Sequence, residues 1–126
     1  MKGVVIEGLS LAKENEKMNI LDFSSGDRND FMLIKQNAGT VSGKHYHNGI
    51  EKNKNPEITL VISGKFELFC RDIKTQEEEK FLVTENTKIS IYPEIYHEVR
   101  AISDIILLEY VSMAQAKNDT VKLKNK

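Results

Sequence analysis

The sequence predicts an all-β protein, a sandwich or barrel of antiparallel strands. Three observations lead there. Short apolar runs rich in β-branched residues recur through the middle of the chain. Turn-forming clusters separate them: SSGDRND, NAGT, SGK, DIKTQEEE and TENTK. No strand alternates with a long helical pattern, which argues against a doubly wound parallel sheet.

Taken in order, LAKENEK near the start has the composition of a helical turn only. FMLIK (31–35) is the first apolar run of the strand series. EITLVIS (57–63) is apolar on both faces, with Ile58, Leu60 and Ile62 opposing Thr59 and Val61. KFELFCRD (65–72) alternates, placing Phe66, Leu68 and Cys70 on one side. FLVTE (81–85), KISIY (88–92), HEVRAI (97–102) and DIILLEYV (104–111) continue the series, and SMAQAK offers a second helical turn. The 126 residues fit one domain, expected over 1–113. Residues 114–126 read as a polar tail that frays or docks on a partner subunit.

Composition removes several classes of function. The net charge is −1, so nothing marks a nucleic-acid surface. No apolar stretch approaches the ~20 residues of a membrane span, and the first apolar run is too short for a signal peptide. Cys70 is the only cysteine, which excludes an internal disulfide framework and points to a reduced, cytoplasmic setting. It shares a face with Phe66 and Leu68, as a small core residue would.

All three histidines fall into one pattern. Residues i and i+2 of a strand face the same way, so His45 and His47 present two imidazoles to one side, with Tyr46 on the other. Glu57 opens the next strand, and a hairpin would bring its carboxylate opposite the pair. His97 begins a later strand, after Pro93 sets the entry turn. Three neutral imidazoles and a carboxylate suit a divalent ion such as Zn, Fe, Mn, Co or Ni, with one or two positions left open. The polar loop NGIEKNKNP (48–56) beside this set reads equally as a pocket rim or as a surface insertion.

These residues resemble the cupin motifs. Gly39, His45, His47, Glu57 and Gly64 follow the first motif, with a longer gap before the glutamate. Glu51 stands at the usual short distance but lacks the glycine seven residues on, so Glu57 is preferred. Pro93 and His97 follow the second motif one residue closer than usual, with Glu94 and Ile95 where a glycine is expected. The resemblance implies an antiparallel double-stranded β-helix, the jelly-roll barrel, and a homodimer. Two-faced strands such as EITLVIS agree with a covered outer face. The stretch GKHYH … PEITLVISGKFELFCRDIKTQEEE is similar to small cupin domains of capsular and surface polysaccharide biosynthesis. That similarity implies epimerisation or isomerisation of a nucleotide-linked keto-sugar. YPEIYHEV resembles the matching strand of sugar 3,4-ketoisomerases, and the complete ligand set pulls toward the metal-containing epimerase type.

In that reaction a metal polarises a carbonyl while a base moves the neighbouring proton. Glu109, set within IILLEYV, is a candidate base if buried; the plainer reading has it facing solvent. Tyr46 and Tyr96 neighbour ligands but point away by parity. Lys35 and Arg28 could bind phosphate, or be surface charges. Two alternatives use the same shell: an Fe-dependent dioxygenase-type cupin acting on a small organic substrate, and a non-catalytic small-ligand-binding cupin.

Overall fold

The computed structural model describes residues 1–123. Its strands are β1 (Val4–Gly8), β2 (Ser10–Glu14), β3 (Asn19–Asp22), β4 (Met32–Gln36), β5 (Val41–Tyr46) and β6 (Glu57–Ser63). They continue as β7 (Lys65–Asp72), β8 (Glu78–Thr84), β9 (Thr87–Ile91), β10 (Ile95–Ala101) and β11 (Ile105–Glu109). Helix α1 (Met113–Lys117) and strand β12 (Val121–Lys122) follow. One sheet runs β1-β9-β6-β11-β4 and the other β12-β5-β10-β7-β8, all pairings antiparallel. β2 and β3 form a separate hairpin. This is the expected jelly-roll barrel.

Alternation decides what lies between the sheets. Phe66, Leu68 and Cys70 of β7 point inward and are fully buried, as their period-2 spacing predicts. Val61, Ile89, Ile91, Ile105 and Leu107 meet them from the other sheet. Every expected strand is present within a few residues of its expected ends. The LAKENEK turn is a correction: Ser10–Glu14 is strand β2, paired with β3. Leu11 lies opposite Leu21, and the Asn15 side chain accepts the Lys17 and Met18 amides to close the hairpin turn. SMAQAK does form a short helix. Ser112 caps it by accepting the Gln115 amide, and Gln115 reaches back to the Ser112 amide.

Two glycines permit close approaches. Gly64 has φ +93°, and a Cβ there would fall on the Asp104 carbonyl oxygen. Gly43, at φ +87°, lies against a β10 bulge between His97 and Glu98, where a Cβ would come 2.8 Å from the His97 carbonyl oxygen. That contact lets β5 sit tightly beside the strand carrying His97.

The C-terminal segment differs from a frayed tail over residues 114–123. After α1 the chain returns to pair β12 with β5, placing Val121 opposite Tyr46 and Lys122 opposite His45. The remainder of that expectation, residues 124–126, lies outside the described residues.

Candidate metal centre

His45 lies on β5 and His97 directly opposite it on β10. His47 follows the end of β5, and Glu57 opens β6. β5 and β6 belong to different sheets, so Glu57 meets the histidines across the barrel interior and not across a hairpin. The ring centroids of His45 lie 4.8 Å from those of both His47 and His97, and the latter two are 5.5 Å apart. One ligand atom from each of the four residues lies within 4.8 Å of all the others. His47, Glu57 and His97 are buried; His45 is half-buried. Glu51 stays in the loop, where its carboxylate accepts the Asn53 amide.

The protonation pattern follows from the partners. A carbonyl oxygen only accepts, so His47 Nδ1 donates to the Asp119 carbonyl and His97 Nδ1 donates to Ile95 O at 3.0 Å. In the neutral rings the Nε2 lone pairs then face inward. Glu57 Oε2 lies 3.0 Å from His97 Nε2 and 3.4 Å from His47 Nε2. Among the described residues, no hydrogen-bond partner reaches the buried His47 Nε2 and Glu57 Oε2. Acceptors facing each other in a low dielectric need a proton or a cation between them. A backbone carbonyl behind a ligating imidazole is also the usual device for orienting it toward a metal. On these grounds the donor set fits a metal ion.

Without a metal, His97, when protonated, is the cation that faces Glu57. Burial, then the neighbouring His97, lowers His45 to about 3, leaving it a neutral imidazole. Burial opposes the Glu57 anion, but His97, Glu109 and Lys54 outweigh it and hold the carboxyl well below its usual range. Lys54 is 2% exposed, with Nζ 2.9 Å from Glu57 Oε1 and 3.2 Å from Glu109 Oε1. Burial works against its charge, yet Glu57 and Glu109 raise it overall. Glu109 is buried, so the solvent-facing reading is set aside. Burial and Glu57 push its carboxyl well above the ordinary value.

The 48–56 loop is part of the site. It delivers Lys54, and Arg28 ties it down by donating to Asn53 O at 3.1 Å and Pro56 O at 3.0 Å. Arg28 is therefore a loop anchor and no phosphate ligand. Lys35 is exposed on the barrel exterior. Tyr96 donates to Glu98, away from the ligands as parity requires. Cys70 sits in the core, its thiol pushed up to about 12 chiefly by burial. Lys54 and Asp119 escape sequence reading. Both look like loop charges, and only the tertiary fold buries them.

Beside the ligands lies a cavity of about 220 Å³. His45, Glu57, His97 and Glu109 line one part of it, and its wall is apolar: Ile34, Leu68, Ile89, Ile91, Val99 and Leu107.

No protein-family model matches the sequence, and no curated protein does. Solved structures do match in fold. The sugar 3,4-ketoisomerase QdtA of Thermoanaerobacterium thermosaccharolyticum, in complex with TDP, aligns with TM-score 0.77 and 12% identity over 98% of this chain and 90% of its own. The dTDP-4-dehydrorhamnose 3,5-epimerase of Sulfolobus tokodaii gives 0.69 and 16%, over 100% and 74%. CapF, with the inhibitor 3-isopropenyl-tropolone, gives 0.61 and 18% over 93% of this chain and 34% of CapF. At such identities the likeness establishes the fold, and that fold is the cupin-type jelly roll expected from the H-x-H, Glu57 and His97 pattern.

Proposed function

We propose that this chain is a metal-binding epimerase or isomerase of a nucleotide-linked keto-sugar, acting as a cytoplasmic homodimer in surface polysaccharide biosynthesis. The observation that carries this reading is the convergence of His45, His47, Glu57 and His97, three of which, His45, Glu57 and His97, line a cavity. These four would hold a divalent Zn, Fe, Mn, Co or Ni ion. When bound, such an ion polarises a substrate carbonyl and stabilises the enolate formed beside it.

The chain's own residues supply the rest. Glu109 lines the same cavity, where its carboxyl takes up and returns a proton. Lys54 bridges Glu57 and Glu109 and offsets part of their mutual repulsion. The apolar wall keeps water from the reacting carbons. A space of about 220 Å³ is smaller than the ~300–1,000 Å³ of common ligand pockets. On this reading the sugar enters the cavity and the nucleotide stays outside it. Structural neighbours that bind TDP or epimerise a TDP-linked sugar support the substrate class.

A second reading rests on the same wall. Among the described residues neither Lys nor Arg lines the cavity, which suits a small organic substrate of an Fe-dependent dioxygenase-type cupin, or a bound small ligand without turnover. Elemental analysis of protein purified without chelator separates the readings. About one equivalent of Zn per chain supports the epimerase, and Fe supports oxygen chemistry. His47→Ala should weaken metal binding by more than about 100-fold, since even supporting residues cost 10–100-fold. Deuterium uptake from D₂O next to the carbonyl of a TDP-4-keto-sugar tests the reaction. No metal in either protein, even with excess ion, would sink the ligand assignment.

A further inference from the structure

The segment after β11 wraps back over the candidate metal centre and makes contacts that the reading above does not use. Asp119 is 3% exposed. Its carboxylate accepts three amides of one loop: Asn48 N at 2.7 Å on Oδ1, Gly49 N at 2.8 Å and Glu51 N at 3.1 Å on Oδ2. Its carbonyl takes the Nδ1 proton of His47. One residue thus holds both a ligand ring and the start of the loop that carries Lys54 to Glu57. The surrounding segment is itself fixed. Gln115 accepts from Asn53 Nδ2 at 3.1 Å and donates to Asp30 at 2.9 Å. Thr120 donates to Ala116 O at 2.6 Å, and β12 pairs with β5 beside His45.

We infer that Asp119 is a positioning residue, which locks His47 as the Nδ1–H tautomer with its Nε2 lone pair aimed into the site. Anchored by three amides, the 119 backbone cannot drift from the ring. Burial alone would raise this carboxyl, but the Asn48, Glu51 and Gly49 amides outweigh it and keep the carboxyl below its ordinary value. The inference depends on the metal reading only for its consequence, tighter metal binding. The tautomer itself is independent of any metal.

The test uses the full chain. ¹⁵N NMR of the His47 ring reports the tautomer, and Co²⁺ titration reports affinity and ligand field through its visible spectrum. In the native chain His47 should show one tautomer, with hydrogen on Nδ1. Asp119→Ala should give averaged ring signals, bind Co²⁺ about 10–100-fold more weakly and change the visible band. The far-UV spectrum should stay that of the β barrel. If Asp119→Ala does not fold, Asp119→Asn, which keeps the volume and one acceptor oxygen, decides by the same readouts. An unchanged ring tautomer in a folded variant overturns the proposal. Failure of the native chain to take up Co²⁺ would overturn the metal reading alone, and the His47 signals would still decide the role of Asp119.

Discussion

Lys54 lies between two buried carboxylates, 2.9 Å from Glu57 and 3.2 Å from Glu109, and it keeps both in place. Removing one partner of such a group leaves charge buried without compensation, which costs about 3–5 kcal/mol. Lys54→Met should therefore lower the stability of the metal-free chain by about that amount in urea melts. Part of the loss should return when a divalent cation is added, because the cation then faces Glu57 in place of the ammonium. Equal destabilisation with and without the ion would show that Glu57 and the metal do not meet. The clustering of the three histidines was legible in the sequence, because strand period and a preceding proline are local signals; that they and Glu57 act as ligands is the proposal made above. Lys54 was not legible: its neighbours NKNPE read as a solvated turn, and contacts distant in sequence, to Arg28, Gln115 and Asp119, pull that loop inward.

At the scale of elements, the strands were legible where one face is buried and the alternation or apolar run is strong. β7, with Phe66, Leu68 and Cys70 on its inner face, is the clearest case. β2 and β3 were not, since their pairing buries little and their residues are mostly exposed. β12 has only two residues and borrows its strand geometry from β5. The β6–β7 turn shows how a single residue governs an element. Gly64 sits at φ +93°, where a side chain is strained, and its Cβ would collide with the Asp104 backbone. Gly64→Ala should cost about 2–4 kcal/mol of stability, combining positive φ with overpacking. Because Glu57 shares β6 with this turn, metal affinity should fall as well. A urea midpoint within error of the native chain would refute the argument.

At the scale of the molecule, the outer face of the β1-β9-β6-β11-β4 sheet remains to be accounted for. Leu108 lies beside Leu33 on one neighbour and Leu60 on the other, a row of leucines on the outer face of the sheet. The β2–β3 hairpin shares a cleft with part of that face, where Ile20, Leu21 and Phe23 approach Leu60, Ile62 and Leu108. Cover is incomplete: Leu33 is 60% exposed, and Phe23, Phe31 and Ile62 are exposed as well. β4 is also an edge strand, with one side of its backbone unpaired. An apolar patch continuous with a free edge is the surface a second copy would cover. The chain should sediment as a dimer at micromolar concentration. Leu33→Glu should yield a folded monomer, since that side chain contributes little to the barrel interior and a charge opposes burial between subunits. If the native chain is monomeric at that concentration, the hairpin alone covers as much of the face as the protein needs. If Leu33→Glu remains a dimer, association runs through another surface, with the β8 edge of the opposite sheet the first to examine.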